Sequence, residues 1–297
     1  MPFTFRVFCE SDVDGLNRLL QVYTQAYPPR TSPPAQFYLS SYFDGGRKVW
    51  CAFDEQDQLV GYAPYLPQGD HAWVEVMALP ELERAAEIKA SLWAWLVEQA
   101  RQCGQRRLCF QYYPNEEAAI QFAVEQGGEY HYSIFAMRRD LSLPIPEPIV
   151  PAGFSIRRWR MESEAEQRQY LEGRNACFPE APTSLDEWRY FASTPLWERG
   201  TNMAAFAAQQ LAASVLVFWQ PGSPTGSTEY VFTLAGYRGH GLALALLIEG
   251  LGYLKAHGLQ SASLEVKTEN RAALGVYTGL GYEVEAESKV YEVSIPS

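Results

Sequence analysis

Apolar positions fall into two successive series of the same kind. In the first, alternating or continuous apolar runs predict strands at 3–9, Val49–Phe53, Leu59–Leu66, Trp73–Met77, Leu108–Tyr112 and Tyr132–Arg138. Helical spacing predicts a helix through Leu16, Leu19, Leu20 and Tyr23, and a short aromatic helix at Gln36–Phe43. It also predicts a long helix over Leu82–Gln102 and a shorter one over Glu116–Glu125, stopped by Gly127-Gly128. The second series repeats that order. It predicts strand Phe154–Trp159, helix Ser163–Asn175, aromatic helix Ser184–Ala192 and paired strands Met203–Ala208 and Leu211–Trp219. Strand Glu229–Leu234, a long helix from Leu242, strand Ser263–Val266, helix Asn270–Thr278 and strand Val290–Val293 complete it.

Between the series, LPIPEPIVPAG carries Pro144, Pro146, Pro148 and Pro151, and reads as an extended, semi-rigid linker. The expected domains are therefore 1–143 and 153–297, joined by 144–152. A constant offset of 155 places Asn270 on Asn115 and Tyr277 on Phe122. An internal duplication is the simplest account. At the same offset Arg238 falls on Glu83 and Ala243 on Ile88.

The stretch Thr228–Ala256 organises the second half. A strand runs into the turn Ala235-Gly236-Tyr237-Arg238-Gly239-His240-Gly241 and then into a helix. The first amides of a helix lack internal partners and sit at the positive end of its dipole. Gly239 and Gly241 remove the Cβ atoms that would hold an anion away, Arg238 adds a cation, and Ala243 is small. The first half has Glu83 and Ile88 at the matching places, so it is expected to hold no such loop.

The spacing Arg238-x-x-Gly241-x-Ala243 resembles the acyl-CoA pyrophosphate loop of the GCN5-related N-acetyltransferases (GNAT). Asn270, with Tyr277 seven residues on and then Leu280-Gly281-Tyr282, is similar to the second hallmark of that family. The resemblance covers Phe154–Val293 well and Phe5–Leu141 only as an element order. It implies an α/β (α+β) fold of two tandem acyl-CoA N-acyltransferase domains, each a mixed, mostly antiparallel sheet flanked by helices. It also implies a gap between strands Glu229–Leu234 and Ser263–Val266 that takes acetyl-CoA as co-substrate.

The implied reaction is N-acyl transfer, acetyl transfer in the first instance, by direct attack of a primary amine within a ternary complex. Tyr277 would donate to the departing thiolate, and Glu229 is the candidate base, with Glu265 the second choice. Glu229 is read as sharing strand parity with Val231 and Thr233. The cofactor set is Thr233, Leu234, Arg238, Gly239, His240, Gly241, Leu242, Ala243 and Asn270, with amides near Thr233 and Leu234 meeting the pantetheine arm. Trp188, Tyr190, Phe191 and Trp197 are open between acceptor lining and core, and Cys177 reads as a bystander. The alternative function is a non-catalytic acyl-CoA or small-ligand-binding protein on the same scaffold.

Charge and composition narrow the partners. A net charge of −11 disfavours nucleic acid and anionic membrane. No apolar run reaches the roughly 20 residues of a span, and no C-x-x-C or histidine spacing suggests a metal. Five cysteines without a leader-like N-terminus read as reduced thiols. The expectation is a cytoplasmic protein, monomer or homodimer, acting on a small-molecule amine.

Overall fold

The structure, a computed structural model, describes residues 3–296. In chain order it contains β1 (Thr4–Val7), α1 (Val13–Ala26), β2 (Val49–Phe53), β3 (Leu59–Gln68), β4 (His71–Val74) and β5 (Met77–Ala78). There follow α2 (Ala85–Cys103), β6 (Arg107–Tyr112), α3 (Glu117–Glu125), β7 (Glu129–Asp140), β8 (Phe154–Arg158), α4 (Glu164–Cys177), α5 (Leu185–Ser193) and α6 (Pro195–Glu198). The chain ends with β9 (Thr201–Ala207), β10 (Gln210–Phe218), β11 (Thr225–Thr233), α7 (Leu242–Ala256), β12 (Ser261–Lys267), α8 (Arg271–Gly279) and β13 (Glu283–Ser294). Each half carries a mixed, mostly antiparallel sheet flanked by helices.

The chain divides into two compact units, residues 3–133 with 288–296, and residues 134–287. This differs from a cut at the proline-rich segment. Residues 134–140 of β7 pair antiparallel with β12 inside the second unit, from Ile134↔Lys267 to Asp140↔Ser261. Residues 289–294 of β13 pair with β6 inside the first. Each sheet thus takes its last strand from the other half of the sequence. In the second unit the order is β7, β12, β11, β10, β9, β8, with only β11–β12 parallel.

Arg139 secures the borrowed strand. It is 2% exposed. Its Nε donates to the Leu280 carbonyl at 2.6 Å and its Nη2 to the Pro144 carbonyl at 2.7 Å. A buried guanidinium is tolerated when its donors are used.

The second unit has an apolar layer on each side of its sheet. Helix α7 is apolar over most of its length and buries a broad face, leaving Leu244, Lys255 and Ala256 exposed. Leu246, Leu247, Leu251 and Leu254 are buried against Val215 and Val217 of β10. Gly226 permits that approach, because a Cβ there would stand 2.3 Å from a Leu254 methyl. On the other side Tyr170, Trp188, Trp197, Phe206 and Phe232 form a second cluster. Trp188 and Trp197 are 3% exposed and meet edge to face at 5.3 Å. They are core, and Phe191 packs on the same cluster.

Two predicted elements are broken. The aromatic helix at Gln36–Phe43 is two tight turns, Ala35–Leu39 and Ser41–Gly46, parted by extended Ser40. The strand Trp73–Met77 is interrupted at Glu75-Val76, with β4 before the break and β5 after it both pairing with β3 in one register.

Candidate active site

Strands β11 and β12 are joined at one end and open at the other. They pair in parallel over Thr225–Ser227 and Ser261–Ser263 and no further. Thr228 marks the fork. Its hydroxyl lies 2.7 Å from the Tyr282 hydroxyl and donates to the Ser263 carbonyl at 3.3 Å.

Beyond the fork β11 carries a bulge. Ser214 of β10 faces Phe232 while Leu216 faces Glu229, so β11 has one extra residue in that interval. Tyr230 absorbs it at φ +50°. A bulge turns following side chains to the other face. Glu229 therefore shares a face with Phe232 and Leu216, which belong to the α4–α5 cluster, whereas Val231 packs on the α7 side. The parity expected for Glu229 with Val231 and Thr233 is corrected by this extra residue.

The opening holds two adjoining cavities of about 580 and 450 Å³. Tyr277, Asn270, Cys177, Phe178 and Val231 line both. The larger also has Glu229 and Glu265, and the smaller has Thr233, Arg238 and Ala243. The sequence-predicted acid, base and loop are thus brought to one cleft. The four aromatic candidates of α5 and α6 line neither cavity.

The loop before α7 holds two glycines in the left-handed region. Gly239 and Gly241 sit at φ +79° and +77°, and a Cβ at either would meet nothing within 4 Å. Those conformations are cheap for glycine and strained for other residues. Arg238 Nε donates to the Thr233 carbonyl at 3.1 Å. The His240 ring folds back, with Nδ1 at 3.0 Å from the Arg238 carbonyl and 3.2 Å from that of Tyr237. Its side chain braces the loop. Leu242 is 1% exposed, so what it can offer a ligand is its amide.

The strand end needs one further correction. The Leu234 amide donates to the Ala212 carbonyl at 2.9 Å and is spent within the sheet. Amide directions alternate along an antiparallel strand. Thr233, unlike Leu234, therefore turns its N–H and C=O away from β10, toward the opening. Its carbonyl receives Arg238 and, at 3.8 Å, the Cys177 thiol.

Asn270 caps α8, its side-chain oxygen accepting from the Ala273 amide at 3.2 Å. Tyr277, 6% exposed, lies within α8 with its ring 6.0 Å from that of Tyr282. Burial, and then the charge of Glu229, push its phenol up to about 12. Burial, and then Glu265, push the Glu229 carboxyl up to about 8. The Glu265 side chain is exposed, and partial burial against the surrounding protein raises its carboxyl. Burial also raises the Cys177 thiol. A nucleophilic cysteine needs the opposite shift.

The first unit is built differently at the matching place. No residue from 79 to 88 has positive φ. Ile88 is fully buried, where Ala243 lines a cavity. β4 and β6 pair in parallel over His71–Trp73 and Arg107–Cys109, then part. Arg30, 6% exposed, fills this region, paired with Glu116 at 2.6 Å and with Glu75. Nothing local to Arg30 in the sequence signals partners so distant along the chain.

Among the described residues no helix is long and apolar enough to cross a membrane, and no group of His, Cys, Asp and Glu is arranged to hold a metal ion.

Comparison with known proteins places this architecture. Over 272 residues the chain is 29% identical to a mycothiol acetyltransferase of Segniliparus rotundus, covering 84% of this chain and 95% of that protein. It is 31% identical over 185 residues to a mycothiol acetyltransferase of Frankia casuarinae, covering 55% of this chain but 52% of that protein. Among solved structures, a tandem GNAT protein from the clavulanic acid biosynthesis pathway matches with a TM-score of 0.77 at 19% identity, over 100% of this chain and 99% of that one. A GCN5-related N-acetyltransferase from Sphaerobacter thermophilus matches with a TM-score of 0.70 at 20% identity, over 99% and 96%. The model of the acetyltransferase (GNAT) family matches residues 160–282, which contain the bulged strand, the glycine loop, Asn270 and Tyr277. Over those residues the chain is similar to the acetyltransferase (GNAT) family.

Proposed function

We propose that the chain is an N-acetyltransferase that moves an acetyl group from acetyl-CoA to a primary amine, with the cleft of the second unit as its active site. One observation carries the reading. A loop with two left-handed glycines at the start of α7 opens onto the cleft that holds Tyr277 and Glu229. The amides of Gly239, His240, Gly241, Leu242 and Ala243, with Arg238, would hold the diphosphate. The Thr233 amide would meet the pantetheine arm. The first unit, with Arg30 in its gap and no glycine loop, is proposed to be a degenerate copy without this site.

Acetyl-CoA supplies an activated acyl carbon. Glu229 accepts one proton from the incoming ammonium and frees its lone pair. The nitrogen–carbon bond forms, and the carbon–sulfur bond breaks with its pair going to sulfur. The second amine proton leaves to solvent. Tyr277 donates a hydrogen bond to the sulfur. A phenol near 12 facing a thiol of pKa about 8.5 makes full transfer uphill by about 5 kcal/mol. Tyr277 therefore acts by a hydrogen bond that strengthens as charge develops.

Two variants test these assignments. Tyr277→Phe is expected to lower kcat roughly 10- to 100-fold and to leave the acetyl-CoA dissociation constant, read by calorimetry, within about twofold. Loss of that affinity would instead make Tyr277 a packing residue. Gly241→Ala adds a methyl that meets no protein atom within 4 Å, so the fold bears about 1–2 kcal/mol of left-handed strain. Acetyl-CoA affinity should nonetheless fall at least about tenfold, since the methyl enters the cradle. Unchanged affinity would remove the diphosphate from this loop.

A further inference from the structure

The open cleft carries two carboxylates on the two strands that part, Glu229 on β11 and Glu265 on β12. Among the described residues, neither side chain has a hydrogen-bond or ion-pair partner. Glu180 and Glu269 add to the negative lining, against Arg174 and Lys267. Arg174 is already engaged. It donates to the Ala181 carbonyl at 2.7 Å, and its guanidinium lies 4.8 Å from the Tyr230 ring and 5.6 Å from that of Phe178.

The first unit offers an internal comparison. At its own strand fork two carboxylates, Glu75 and Glu116, also converge, and there the chain supplies the cation, Arg30. The second unit keeps a carboxylate pair at the fork, and among the described residues no cation bridges Glu229 and Glu265 as Arg30 bridges Glu75 and Glu116. Glu229 is partly buried, and a carboxylate so placed without an ion pair is costly unless something brings a counter-charge. A further group points to a ligand. Tyr277, 6% exposed, has no side-chain hydrogen bond among the described residues and lines the same cavity.

Glu229, the proposed base, stands on β11, and Glu265 stands on β12, the other strand of the same opening.

We propose that the acceptor is a dication: a primary amine presented to Glu229 and a second ammonium or guanidinium held by Glu265. The inference rests on the acetyltransferase reading of this cleft and names the chemical class of its acceptor. Glu265 is then a specificity residue. A molecule with one basic nitrogen neutralises one carboxylate and leaves its neighbour uncompensated.

The test is binding, which needs no turnover. The full chain is saturated with CoA, and putrescine and n-butylamine, matched in carbon chain, are titrated by calorimetry at about pH 8, where both amines are cationic. Putrescine should bind at least about tenfold more tightly. In Glu265→Gln that ratio should fall to near one, and Glu265→Asp should restore part of it. Thermal melts of both variants report their folding, and the wild-type ratio decides the matter if a variant does not fold. A wild-type ratio near one, or a ratio unaltered by Glu265→Gln, overturns the proposal. Tight putrescine binding that depends on Glu265, without acetyl transfer to any amine, would leave the dication site standing and remove the transferase reading instead.

Discussion

Expressed alone, residues 153–297 are expected not to reach a cooperative fold, although they contain every residue of the proposed site. Such a fragment lacks the β7 segment that pairs with all of β12. Met137 and Leu141, 1% and 2% exposed, leave the core under α7. Phe135, packed on the same cluster, goes with them. Burial of each such side chain contributes about 1.5–3 kcal/mol, so the three together approach the 5–15 kcal/mol that hold a typical domain folded. The loss extends beyond apolar area. Arg139, which donates to the Leu280 carbonyl beside Tyr282, is absent. β12 becomes an open edge directly beside the cleft. At the other end Val290 and Val293, buried in the full chain, have no β6 to cover them.

Near-ultraviolet circular dichroism and gel filtration check this. The fragment should aggregate or melt without a sharp transition, while residues 129–287, which retain β7 and omit most of the β13 overhang, should melt cooperatively. A sharp transition for 153–297 close to that of the full chain would show that the exchanged strand is dispensable.

That exchange marks the limit of what the residues disclose. The strands themselves were legible, because alternation and turn residues are local. Tyr132–Arg138 reads as a strand from its pattern, yet nothing in the pattern names β12 as its partner. The proline-rich segment reads as a linker from its local chemistry, yet it lies within the second unit, because strands pair across it. The glycine loop was legible for the opposite reason. Positive φ in a turn has a side-chain signature, and Gly239 and Gly241 carry it. Tyr230 adopts φ +50° with no such signature. Its bulge follows from register against β10, and with it the face on which Glu229 lies. Trp188 and Trp197 were left open between core and pocket because helical spacing sets a face and leaves its neighbour unnamed. α4 and β10 fill that side.

Glu229→Gln is expected to lower kcat/KM by about 10²- to 10⁴-fold, the usual contribution of a general base, and the pH profile should identify the cause. With a carboxyl at about 8 and an ammonium near 10.4, moving the amine proton to Glu229 is uphill by about 3 kcal/mol. A carboxyl at its ordinary value near 4.3 would make the same step cost about 8 kcal/mol. The difference is what burial beside Glu265 contributes to the reaction. In the wild type kcat/KM should rise about tenfold per pH unit up to about 8 as Glu229 ionises. In Glu229→Gln that limb should vanish, leaving only the titration of the free amine.

Stability carries the opposite sign. A carboxyl raised in the folded state binds its proton more tightly there than in the unfolded chain. The stability this contributes is complete below about pH 4.3, the unfolded value, and is lost as pH rises through about 8. Glutamine keeps the shape and has no charge to bury. The variant should therefore melt at a higher temperature than the wild type above about pH 8 and lose that advantage toward about pH 4.3. A purely structural Glu229 would show the melting effect without the lost kinetic limb. A variant that kept the limb would move the base to another group in the cleft, with Glu265 the first to examine.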